Sequence, residues 1–331
     1  MRSLCVLLAF IIMTSDPMIE AAPNNGGAIS PSSTPYGHDY FVLRGGLHNC
    51  RIKFELEKKG RVAFLGGSIT AGGGWRNKVV AELQKRFPLT KFDIINAGIS
   101  SMGSTPGAFR FSRDVLRHGI VDLLFEEAAV NDASNGQSER EALRGMEGIV
   151  RQARLANPAI DIVLLHFANP ENIKLITEGK PPPVIASHER IAEHYAVPSI
   201  DLAREVAERI RAGEFTWAKD FRDVHPSAFG HELYARAVGR LFDAAWKLPA
   251  PADAAVHPHT LPAPLDDNSY FRGRLVDPRQ AAIVSGWSRV PDWQPADKIG
   301  TRAGFVHVPM LVAEEPGATM RLKFEGTAVG L

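Results

Sequence analysis

Between Arg61 and Trp246 the chain alternates continuous apolar runs with amphipathic stretches, and that alternation narrows the fold more than any other feature. Arg61-Val62-Ala63-Phe64-Leu65-Gly66 reads as a buried strand, and Phe92 to Asn96, Val121 to Phe125, Ile160 to His166 and the short Val197 to Ile200 read as further strands. Trp75 to Phe87 reads as a helix, with Val79, Val80, Leu83 and Phe87 on one stripe. Further helices are expected over about Arg110 to Leu116, Glu139 to Ala156 and Pro183 to Tyr195, with Asp201 to Arg211 and Ser227 to Trp246 closing the series. Unbroken Val/Ile/Leu runs separated by helices are the mark of a parallel sheet covered on both faces. The expected class is therefore α/β, a doubly wound five-stranded parallel sheet in three α/β/α layers, whose ligands bind at the carboxyl ends of the strands.

The flanks read differently. Met1-Arg2, the apolar run Leu4 to Met13 and the small pair Ala21-Ala22 have the layout of a secretory signal peptide over residues 1–22. The run is too short to span a bilayer, so export to the periplasm or the outside is expected, without stable membrane insertion once the signal is removed. Residues 23–59 read as an N-terminal arm, 60–247 as the α/β domain, and 248–268, rich in Pro, Ala and Asp, as a linker. Residues 269–331 read as a β-rich appendage, because Gly304 to Met310 and Met320 to Glu325 alternate at period two. The last segment still reads as a strand, so this appendage is expected to be truncated.

Lys and Arg number 38 against 37 Asp and Glu, a net charge of +1, which offers no electrostatic case for a nucleic-acid partner. Of two cysteines, Cys5 falls in the signal segment, leaving Cys50 with no internal disulfide partner. Its setting, Leu47-His48-Asn49-Cys50-Arg51, lacks a strand-to-turn context, so a packed or surface thiol is expected, and one cysteine with scattered histidines does not make a structural zinc site.

Four loops carry the polar chemistry. The first, Gly66-Gly67-Ser68-Ile69-Thr70-Ala71-Gly72-Gly73-Gly74, follows the first strand and can hold the Ser68 hydroxyl above the sheet edge. It lacks the Lys-Ser/Thr of a phosphate-binding P-loop and the G-x-G-x-x-G of a dinucleotide site. The second, Asn96 to Ser104, is another small-residue loop whose backbone N–H groups can face a developing oxyanion. The third, Ala129-Val130-Asn131-Asp132, offers an amide donor at Asn131, although a cap or turn role is as good a local explanation. In the fourth, Asp220 to Ser227, Pro226 keeps His225 out of helical geometry and Ser227 caps the next helix. Each loop alone is weak. Together they supply a hydroxyl nucleophile, two sources of hydrogen-bond donors, and a base with acidic neighbours, the set needed for acyl transfer.

In order and spacing the four segments resemble the conserved blocks of the SGNH hydrolases, the GDSL-type esterases and lipases, over about Arg61 to Trp246. Gly66-Gly67-Ser68-Ile69-Thr70 is similar to the serine block, with Gly67 where many members have Asp, and Ala129-Val130-Asn131-Asp132 to the G-x-N-D block, with Ala129 for its glycine. The resemblance implies a flavodoxin-like sheet, Ser68 as nucleophile, His225 as general base, and an oxyanion hole from the Ser68 N–H, the Asn131 side chain and the second loop. It implies no metal and no organic cofactor. Two positions depart from the pattern. The acid normally three residues before the histidine is Arg222 here, leaving Asp223 as the favoured orienting acid, Asp220 as the alternative, or a Ser–His pair oriented by a backbone carbonyl. The glycine donor expected five residues after Asn96 is Ser101, leaving Gly103 or Ser101 for that role. The resemblance allows polysaccharide acetyl esters, favoured by export and the β-rich appendage, as well as lipid esters and thioesters. A secreted carbohydrate-binding protein with an impaired site is the reading from another class.

Overall fold

A computed structural model describes residues 36–251, 253–297, 300–301 and 306–330. The expected signal peptide lies outside the described residues. Five parallel strands form the frame: β2 (Lys59–Gly66), β3 (Lys91–Gly98), β4 (Leu123–Glu126), β5 (Asp161–Leu165) and β6 (Ser199–Ile200). A sixth strand, β1 (Phe41–Val42), pairs antiparallel with β6, giving the order β1-β6-β5-β4-β2-β3. β4 and β5 are buried along their whole length, as strands covered on both faces must be.

One face of the sheet is covered by α1 (His48–Glu55), α3 (Gly74–Arg86), α9 (Leu202–Arg211) and α10 (Ala228–Ala245). The other face carries α4 (Ser104–Asp114), α6 (Glu139–Ala156) and α8 (Pro183–His194). Short helices α2 (Ser68–Ala71), α5 (Ala129–Ser134) and α7 (Pro170–Thr177) begin at the carboxyl edge. An aromatic stack anchors the core on the first face: Phe64 lies on Phe125 at 5.0 Å, and Phe167 on Tyr234 at 4.5 Å, with Trp75 edge-on to both Phe64 and Phe167.

The expected N-terminal arm is folded from Tyr40 onward. The Tyr40 hydroxyl donates to Glu208 at 2.8 Å, and α1 docks its buried Cys50, Ile52 and Phe54 while the Cys50 N–H donates to Asp161 at 2.7 Å. Cys50 is a packed thiol, pushed up from its ordinary pKa by burial.

The expected linker also differs from expectation. Residues 257–270 have almost no regular structure, yet they lie as a strap across α1, α6 and α8. Asn49 exchanges hydrogen bonds with the His257 backbone, His259 meets the buried Asp161 at 2.8 Å, and Arg154 and Arg151 donate to the carbonyls of Thr260 and Pro262. The N–H groups of Leu265 and Asp266 donate to the buried Glu147 carboxylate, and Leu261 and Tyr270 pack on the second core cluster.

Beyond the strap, β7 (Ala282–Ser285) pairs with β10 (Thr319–Arg321) and β8 (Ser288–Trp293) with β9 (Val308–Val312), all antiparallel. The strand expected at Gly304 to Met310 begins outside the described residues and is seen from Val308.

Candidate active site

Parallel register brings the first two loops side by side, since Gly66 pairs with Gly98 at the ends of β2 and β3. Arg110, buried on α4, ties these ends together by donating to the carbonyls of Ala97 at 2.6 Å and Gly66 at 3.1 Å. Gly67 then turns the chain into α2, so Ser68 stands at the first position of a helix, where backbone N–H groups have no helical acceptor. Ser68 Oγ lies 2.7 Å from His225 Nε2.

The histidine is held from its own loop. Ser227 caps α10 and its hydroxyl donates to the Asp220 carbonyl, fixing the turn on which His225 sits. Asp220 spends its carboxylate on the Thr216 N–H at 2.7 Å and the Thr216 hydroxyl at 3.2 Å, capping the turn rather than orienting the imidazole. Asp223 accepts the His225 backbone N–H at 2.5 Å, and the same oxygen lies 3.5 Å from His225 Nδ1. That separation is at the limit of a hydrogen bond, and the side chains are 59% and 67% exposed. Arg222, at the position where an acid was expected, has φ of 77°, a left-handed backbone that a non-glycine residue adopts at a cost. A buried orienting aspartate is worth about 10⁴ in kcat. Water screens this exposed pair, so Asp223→Asn is expected to lower kcat by only about tenfold or less, checked by steady-state turnover of a small aryl ester.

Asn131, in the first turn of α5, reaches under the nucleophile turn. Its Nδ2 donates to the Met102 carbonyl at 3.1 Å, and a Cβ built on Gly67 would lie 1.8 Å from it. Any side chain at 67 would therefore displace the Asn131 amide from this position. The neighbouring Asp132 is a structural tie: buried, it accepts the Ser104 N–H at 2.7 Å, the Ser104 hydroxyl at 2.6 Å and His188 Nε2 at 3.1 Å. Gly103 is buried against this carboxylate, where a Cβ would meet Asp132 Oδ1 at 2.0 Å. Ser101 is exposed, with φ of 65°.

Sequence reasoning missed Glu127, which follows β4 directly and accepts the Gly67 N–H at 2.8 Å. Its only signal was a Glu-Glu pair at the end of an apolar strand. Among the described residues no group of three or more His, Cys, Asp or Glu side chains is arranged to hold a metal ion. The buried histidines are instead paired with carboxylates, His166 with Glu189 at 2.7 Å and His188 with Asp132.

Residues 64–233 match the model of the GDSL-like lipase/acylhydrolase family. Two crystal structures of a two-domain esterase active on acetylated mannans are similar at 24% identity. One covers 85% of this chain and 75% of that one with a TM-score of 0.60. The other, co-crystallised with mannopentaose, covers 85% and 74% with a TM-score of 0.58. At that identity they bear on the fold. No curated protein matches the sequence significantly.

Proposed function

The chain belongs to the GDSL-like lipase/acylhydrolase family, and on that premise we propose that it removes acetyl groups from polysaccharides outside the cytoplasm, through a Ser68–His225 site. That it hydrolyses esters follows from the family. The 2.7 Å contact of Ser68 Oγ with His225 Nε2 is the observation that carries the assignment of the site.

Ser68 attacks the ester carbonyl while His225 takes its proton, forming a tetrahedral oxyanion. The carbonyl re-forms, the alcohol leaves with the proton from His225, and the acyl group remains on Ser68. Water, giving its proton to His225, then attacks the acyl-enzyme, and the acid departs as Ser68 recovers the proton.

The oxyanion donors are the Ser68 N–H, Asn131 Nδ2 and an N–H of the second loop. For the last we favour Ser101 over Gly103. The Met102 carbonyl points at Asn131 Nδ2, and in a planar trans peptide the Gly103 N–H points the opposite way. Ser101 has the left-handed backbone that glycine favours, which fits the count of five residues from Asn96. Asn131 carries two N–H donors, so one can face the oxyanion while the other stays on Met102.

The exposure of His225 and Asp223 leaves the site open, which suits an acyl group carried on a long polymer. The similar esterase active on acetylated mannans supports that substrate class. Export rests on the N-terminal sequence pattern; among the described residues no helix is long and apolar enough to cross a membrane. Acetate release from acetylated mannan and xylan, set beside hydrolysis of a long-chain fatty ester, tests the proposal. Acetate release with little action on the long chain is expected; the reverse preference would make this a lipid esterase.

A further inference from the structure

The geometry points to Glu127 as a positioning residue for Ser68, one whose ionised carboxylate holds the nucleophile turn in reactive alignment. This rests on Ser68 being the nucleophile. Gly67 is gripped from three sides. Its N–H donates to Glu127 Oε1 at 2.8 Å, its carbonyl accepts the Ala71 N–H at 3.0 Å, and its Cα lies against Asn131. The next N–H along the chain belongs to Ser68, so rotation of the Gly67 unit would swing both the oxyanion donor and the hydroxyl. Glu127 is itself rigid: it is 1% exposed, and its own N–H donates to the Leu65 carbonyl at 3.2 Å.

A buried acid so placed is costly for the fold. Glu127 Oε2 is buried with no hydrogen-bond partner among the described residues. Glu126 at the end of β4, Asp132 on α5, His166 after β5 and Tyr234 on α10 interact with it electrostatically. Burial pushes Glu127 up to about 7 and Asp132 adds to the rise, while the Gly67 N–H and His166 oppose it. A group that only filled space here would be better uncharged. What the carboxylate adds is a charge-assisted bond to Gly67, about twice as strong as a neutral one. Protonation weakens that bond and leaves the new O–H facing no acceptor.

The sign of the stability effect separates positioning from packing. The folded protein keeps a proton on Glu127 up to about pH 7, whereas the unfolded chain releases it near the ordinary glutamate value of 4.5. Stability from this group is therefore lost as pH rises between those values, and at pH 8 the ionised carboxylate is a cost. Glu127→Gln removes that cost.

The experiment measures kcat, KM and thermal melting of the full chain with Glu127→Gln, Glu127→Ala and Ser68→Ala, on a small acetate ester from pH 5 to 9. Glu127→Gln is expected to melt no lower than wild type at pH 8, yet to lose about tenfold in kcat with KM unchanged, as a charged acceptor becomes neutral. Glu127→Ala, which leaves the Gly67 N–H unheld, is expected to lose on the order of 100-fold. Protonation of Glu127 weakens the same bond, so kcat/KM of wild type should fall more steeply towards acid than that of Glu127→Gln, by up to about tenfold across the titration of Glu127. Glu127→Gln should remove that extra fall. A Glu127→Gln enzyme with wild-type kcat and a wild-type acid slope overturns the proposal. So does one that loses activity only in step with lost folding. Full activity in Ser68→Ala would instead overturn the nucleophile assignment, and the proposal with it; an inactive Ser68→Ala with an unaltered Glu127→Gln defeats the proposal alone.

Discussion

Ser68→Ala should lower kcat by at least about 10⁴-fold, and His225→Ala by a similar factor, because the two atoms 2.7 Å apart act as one unit. The double variant should be scarcely worse than either single one, since removing the nucleophile leaves the base nothing to activate. The residual rate should come from the oxyanion donors and from substrate binding. Asn131→Ala tests those separately. An oxyanion donor acts where charge develops, so its loss should cost roughly 100- to 1000-fold in kcat with little change in KM. Steady-state kinetics on one aryl acetate decide all of these. If His225→Ala kept its rate while substitution of His118, His166 or His231 removed it, the base would be wrongly assigned. The geometry speaks against that outcome. His231 Nδ1 accepts the Trp75 N–H at 3.1 Å, and His166 is buried on Glu189, so both are committed to structure.

The central parallel strands were legible because burial on both faces writes an unbroken apolar run into them, whereas the edge strand β3 is partly exposed and showed little more than its Ile94-Ile95 pair. The site loops followed, since a parallel sheet puts its carboxyl ends on one edge. What escaped the sequence was whatever depends on main-chain contacts or on distant partners. β1 is only two residues long, too short to show a period. α1 is eight residues long, and its core stripe of Cys50 and Phe54 with Leu47 before them is too short to establish a period. Glu127 gains its meaning from the N–H of Gly67, 60 positions earlier. The acid beside His225 was ambiguous in sequence, and the structure shows why: Asp220 caps its own turn while Asp223 sits exposed and distant.

The strap gives the second large effect. A chain ending at Leu248 should be severely destabilised, whereas one ending near Leu275 should melt close to the full chain. Pro/Ala-rich sequence reads as a solvated linker because it has no apolar period, but this segment binds through its backbone. The carbonyls of His257, Thr260, Pro262 and Ala263 accept from Asn49, Arg154, Arg151 and His194, and two of its N–H groups reach Glu147. Proline is well suited to this use, since its fixed φ lowers the entropy lost when the strap is laid down. Six such bonds at a net of about 1 kcal/mol each come to roughly 6 kcal/mol, before counting the burial of Leu261 and Tyr270. A domain of this size is stable by only about 5–15 kcal/mol, and each kcal/mol moves its melting point by about 2–4 °C. The Leu248 chain should therefore melt at least about 12 °C lower, or fail to stay soluble, because shedding the strap uncovers the part of the second core cluster on which Leu261 and Tyr270 pack. Differential scanning calorimetry on the three lengths makes the comparison. Equal melting of all three would mean that the strap rests on the domain without supporting it. A fall only in the Leu248 chain would place residues 249–275 within the hydrolase core.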